Sequence, residues 1–135
     1  MTPRQAATLS ALVDTVVPAD EYPSGTAAGV LDYLGGQFGR DLAGMRAYYA
    51  AGLDAVDAEA GQVHGTSFDL LEPARREELL RALEAGGTRT TWPFDAAVFV
   101  STLVGHVMEG FYADPGNGGN RDAVSWRMIG FEVRD

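Results

Sequence analysis

The residues best suited to chemistry in this chain lie near its C-terminus, from Gly110 to Phe131. Gly116, Gly118 and Gly119 are grouped there with a proline and with amide, guanidinium and carboxylate side chains, between aromatic residues. Ordering a glycine costs more backbone entropy than ordering any other residue, so several in one loop indicate a need for close access to the backbone. Aromatic and arginine side chains carry most of the binding energy at the buried centres of protein interfaces. We therefore predict a partner interface formed by Phe111, Tyr112, Asp114, Pro115, Gly118, Gly119, Asn120, Arg121, Asp122, Trp126 and Phe131.

Other interpretations of this segment are weaker or more ordinary. Asn-Gly and Gly-Asn pairs form turns for local reasons, so a plain surface loop is the main alternative. A calcium site of the EF-hand type is disfavoured, because in a loop counted from Asp114 the position that requires a bidentate Glu is Ser125. A phosphate-binding loop is disfavoured because no Lys follows the glycines.

Candidate catalytic groups are few. His106 and Glu109 stand three residues apart and could share a metal ion, but the paired Glu-x-x-His motifs of di-metal helical bundles do not occur. His64 lies near a glycine-rich helix end, where interaction with the helix dipole is the ordinary role. Without cysteine or a Gly-x-Ser-x-Gly motif, we expect no catalytic, cofactor-binding or metal-binding residues and no enzyme in this chain alone. The alternative is a small stand-alone enzyme or ligand-binding domain that uses residues 114–122 and His106.

The composition narrows the class of protein. A chain of 135 residues with 46% hydrophobic residues is long enough for one domain with a core, and we expect a single domain over residues 1–135. The net charge of −9 argues against nucleic acid as a partner, because phosphate backbones attract the opposite charge. The most apolar stretch, Ala96 to Met108, is shorter than the roughly 20 residues that a membrane span needs.

Helices are predicted to position these groups. The first begins at Pro3, because Thr2 and Gln5 match a capping box, and its apolar stripe ends before Pro18. A second is predicted from Thr26 to about Phe38. Both carry apolar residues at helical spacing, which indicates that one face of each is buried.

The third predicted helix runs from Asp41 to about Ala60. Gly52 lies on its apolar face and indicates close packing against another helix. Its acidic residues are predicted to lie largely outside: Asp54, Asp57 and Glu59.

Two further helices complete the prediction. The fourth begins at Pro73, buries three leucines (Leu79, Leu80 and Leu83), carries a Glu77–Arg81 pair and stops near Gly86. The fifth begins at Pro93, and its apolar residues cover more than one face: Phe94, Val98, Phe99, Leu103, Val107 and Phe111. The expected fold is an all-α, compact bundle of about five helices with a Gly-rich C-terminal loop and tail.

Three runs of residues stand out when they are taken together. They are Val-Val-Pro-Ala-Asp-Glu-Tyr-Pro-Ser-Gly at 16–25, Tyr-x-x-Gly-Leu-Asp-Ala at 49–55, and Gly-Phe-Tyr-Ala-Asp-Pro followed by Gly-Gly-Asn-Arg-Asp and Trp126. In this order they resemble the gluconate 2-dehydrogenase subunit 3 family. The resemblance implies an all-α, non-catalytic small subunit, accessory or chaperone-like, of a sugar dehydrogenase or oxidase complex. It places the FAD and the chemistry in a larger partner subunit of the glucose–methanol–choline oxidoreductase type.

Two departures from the family pattern affect the expected cellular location of the protein and its expected contact with the partner subunit. Family members commonly carry a twin-arginine export signal, whereas Met-Thr-Pro-Arg-Gln is not one, so we expect a cytoplasmic protein. If such a signal precedes this sequence in the full protein, we expect a periplasmic one. Asn117 stands where the family motif usually has an aromatic residue, which implies a more polar contact.

Overall fold

The fold is known from a computed structural model, which describes residues 1–17, 34 and 43–111. These residues form four α-helices and two short 3₁₀ helices, and they contain no strand. The all-α class is therefore confirmed. The α-helices are α1 (Pro3–Val16), α2 (Arg46–His64), α3 (Pro73–Glu84) and α4 (Ala96–Phe111), and the 3₁₀ helices are Ala43–Met45 and Phe68–Leu70.

Helix α1 begins as the capping residues predict. The Thr2 hydroxyl accepts from the Gln5 backbone N–H at 3.1 Å, and the Gln5 side chain accepts from the Thr2 N–H at 2.9 Å. This reciprocal pair satisfies two donors that a helix start leaves free, and Pro3 lacks a third. The helix ends at Val16, before Pro18 as expected.

Helix α2 is displaced relative to its prediction. A 3₁₀ turn occupies Ala43–Met45, so the α-helix starts at Arg46. It continues past Ala60 to His64 and ends at Gly65, whose φ of 75° is left-handed and suits glycine.

Helix α3 matches its prediction throughout. It runs from Pro73 to Glu84, its buried residues are the three predicted leucines, and Glu77 accepts from Arg81 at 2.5 Å. Gly86 follows the helix with a left-handed φ of 82°, which explains the predicted stop.

Helix α4 begins later than predicted. Asp95 caps it, because its side chain accepts from the Val98 N–H at 3.1 Å and its carbonyl accepts from the Phe99 N–H at 3.1 Å. The start at Pro93 was wrong, since this aspartate and not the proline satisfies the first turn. Val98 is 56% exposed, whereas Phe99, Leu103 and Val107 are fully buried.

The core lies where the helices meet. Helix α1 packs on α2, α3 packs on α4, and α1 also touches α3 and α4. Of the second predicted helix, 26–38, only Leu34 falls among the described residues, and it is helical and buried. None of the described helices has the length and hydropathy required of a membrane span. The largest fully buried side chains are Leu12, Val13, Leu34, Tyr49, Leu53, Glu59, Phe68, Leu83, Phe99 and Leu103.

Candidate interaction site

The predicted interface begins where the described part of the chain ends. Helix α4 extends to Phe111, so the backbone of that residue is helical. The other predicted interface residues lie outside the described residues: Tyr112, Asp114, Pro115, Gly118, Gly119, Asn120, Arg121, Asp122, Trp126 and Phe131. The alternative use of residues 114–122 with His106 falls partly on the same segment. The structure shows how α4, the helix at the start of this segment, packs against α2.

The Phe99 side chain of α4 reaches the backbone of α2 at Gly52. A Cβ atom placed on Gly52 would lie 2.2 Å from Cε1 of the Phe99 ring, far inside van der Waals contact. The prediction that Gly52 marks close helix packing is confirmed, with Phe99 as the group that occupies the space. Glycine is required here because the neighbouring ring stands where any side chain would begin.

Aromatic rings surround this contact. The Phe99 ring centroid lies 5.5 Å from that of Tyr48, 5.8 Å from Phe94 and 6.2 Å from Trp92. Tyr48 and Phe94 are closer still, at 4.4 Å. Tyr48, Trp92 and Phe94 are only partly buried, whereas Phe99 is fully buried. The first turn of α4 is therefore fixed by aromatic packing.

A hydrogen bond joins the same two helices nearer the end of α4. The Tyr49 hydroxyl lies 2.6 Å from Nδ1 of His106, and the two rings stack with centroids 5.7 Å apart. Tyr49 is fully buried and His106 is half-buried. Because a buried hydroxyl needs a partner, this bond is an integral part of the packing.

Glu59 is a second polar residue that holds parts of the fold together, and its position shows that one prediction was wrong. It was predicted to lie largely outside, but it is only 1% exposed. Its carboxylate accepts from the N–H groups of Arg89 and Thr90 at 2.9 Å, from the Thr90 hydroxyl at 2.5 Å and from the Trp92 indole at 3.2 Å. We call this arrangement the Glu59 clamp. It ties the connection between α3 and α4 to the C-terminal half of α2.

The clamp keeps its carboxylate charged. Burial by itself raises the pKa of Glu59, but the hydrogen bonds from Thr90, Arg89 and Trp92 outweigh that effect and hold the pKa below its ordinary value. A buried charge is tolerable only when it is compensated in this way. Glu59 is therefore a structural acceptor whose oxygens are already occupied.

Part of this clamp could have been found in the sequence. Glu59 follows Gly52 and Val56 at intervals of seven and three residues, so it shares their buried face on a helix. Its charge led to the wrong assignment, because charged residues are seldom fully buried unless they are paired. Its donors come from a connection that no local pattern links to α2.

Other acidic residues link α2, α1 and the 3₁₀ helix Phe68–Leu70 to one another. Asp54 is exposed, as predicted, and accepts from the Gln5 amide at 3.1 Å, while the half-buried Asp57 accepts from the Phe68 N–H at 2.9 Å. Asp69 forms an ion pair with Arg4. In the part of the chain that the structure describes, no three His, Cys, Asp or Glu side chains are grouped so that they could hold a metal ion.

The remaining histidine lies at the end of α2. His64 is the last residue of that helix, near the glycine-rich end that the sequence indicates. Its Nδ1 is 3.3 Å from a guanidinium nitrogen of Arg75 at the start of α3. This contact links two helix ends at the surface and does not bring His64 to the aromatic side chains around Phe99.

Comparison with known proteins gives one match. A family model described as gluconate 2-dehydrogenase subunit 3 matches residues 3–132. No curated protein and no solved structure matches the chain. The match covers all four described helices and the segment that follows them.

Proposed function

The chain belongs to the gluconate 2-dehydrogenase subunit 3 family, and from that membership we propose that it is a non-catalytic accessory subunit that binds and stabilises a larger FAD-dependent sugar or glycoside oxidoreductase. The family match over residues 3–132 is the observation that carries this proposal, since its description names a subunit of a dehydrogenase. The partner is proposed to be of the glucose–methanol–choline type and to hold the FAD, with no cofactor in this chain.

The fixed position of α4 supports a binding role for the segment that follows it. Phe99, Leu103 and Val107 are fully buried along this helix, and His106 is bonded to Tyr49. The packed helix gives the segment that follows it a defined starting point, and Phe111, the first residue of the proposed contact surface, is the last residue of that helix. This supports the proposed contact surface from Phe111 to Phe131.

The first test is co-expression with a large flavoprotein encoded beside the gene for this chain, recognised by a Gly-x-Gly-x-x-Gly start. We expect the tagged chain to purify with that protein as a yellow complex, and to be colourless when it is purified alone. Each partner binds the folded form of the other, so a concentration of one partner at 100 times the Kd stabilises the other by about 2.7 kcal/mol. For a domain of this size the melting midpoint then rises by roughly 10 °C.

Two outcomes of that experiment would contradict the proposal. One is bound flavin absorption in the chain purified by itself. The other is a mixture of the two chains whose melting temperatures equal those of the separate chains. A flavoprotein of the same class from an unrelated gene cluster is the matched control, and it should not be retained on the tagged chain.

A second test addresses the glycine-rich segment. Replacing Gly118 and Gly119 with Val should weaken association with the large subunit by about tenfold or more, because side chains would block the close backbone approach we propose. The circular dichroism of the isolated chain should stay helical. Gly61→Val is the control, since Gly61 is exposed on α2 and has no described atom within 4 Å of its Cβ position. Equal retention of the double variant and the control would remove these glycines from the interface.

A further inference from the structure

We draw no further inference here: the strongest candidate, the exposed surface patch that Val98, Ser101 and Gly105 form along one face of α4, carries none, because nothing in the described part of the structure shows what covers it.

Discussion

Replacing Gly52 with alanine should destabilise the protein by about 2 kcal/mol or more, although alanine is the better helix former. The new Cβ would lie 2.2 Å from the Phe99 ring, so the ring or the helix that carries it would have to shift. Phe99 is fully buried and packs against Tyr48, Phe94 and Trp92, so a turn of its ring would disturb those contacts. Urea unfolding followed by circular dichroism measures the change.

The matched control is Gly61→Ala on the same helix. Gly61 has no described atom within 4 Å of its Cβ position, so alanine there should stabilise the protein by about 1 kcal/mol through helix propensity alone. The two Gly→Ala changes are therefore expected to have opposite signs. A double variant, Gly52→Ala with Phe99→Leu, should lose less stability than the sum of the two single changes, because the smaller side chain vacates the space. Additive effects would refute the proposed clash.

Removing the carboxylate of Glu59 should destabilise the protein more than Gly52→Ala does. Glu59→Ala leaves the N–H groups of Arg89 and Thr90 and the Trp92 indole without their acceptor inside the protein. A donor that loses its partner costs roughly 1–3 kcal/mol when water cannot reach it, and because Arg89 is exposed and Thr90 and Trp92 are half-buried, we expect a total loss of about 3 kcal/mol. Glu59→Gln keeps one oxygen but turns an amide towards the donors, and it should lose roughly 2 kcal/mol.

The same group predicts an acid dependence. Because the pKa of Glu59 is lower in the folded state than its ordinary value of 4.5, its contribution is complete above pH 4.5 and is lost as the pH falls through the folded-state pKa. The gap in urea midpoint between the wild type and Glu59→Gln should therefore narrow from pH 7 to pH 3. Glu78→Gln, an exposed change on α3, should track the wild type across this range. A gap that stays constant with pH would show that Glu59 is not the titrating group.

Local patterns predicted much of this fold. Several of its features involve only residues that are close together in the sequence, so the sequence alone indicates them. They are the capping box at Thr2, the proline at the start of α3 and the left-handed Gly86. The start of α4 was misplaced because both Pro93 and Asp95 are plausible first-turn residues, and Asp95 is the one whose side chain accepts the hydrogen bond.

The contacts that hold the candidate site were harder to foresee. Gly52 was recognised as a packing position, but its partner Phe99 lies on a different helix. The bond from Tyr49 to His106 spans 57 residues, and the bonds to Glu59 span 30 to 33. Such pairs depend on how the helices are arranged in space, which hydrophobic periodicity does not specify. The predicted interface residues from Tyr112 to Phe131 lie beyond the described residues and stay a prediction.

The Glu59 clamp also limits how this protein can change in evolution. Surface connections between helices usually tolerate insertions and deletions. Here the connection from Gly86 to Asp95 must bring two backbone N–H groups, a hydroxyl and an indole to one carboxylate. A single inserted residue between Gly86 and Arg89 would move those donors out of reach. The length of this connection and the acidic residue at position 59 are therefore expected to be inherited together, and to be lost together.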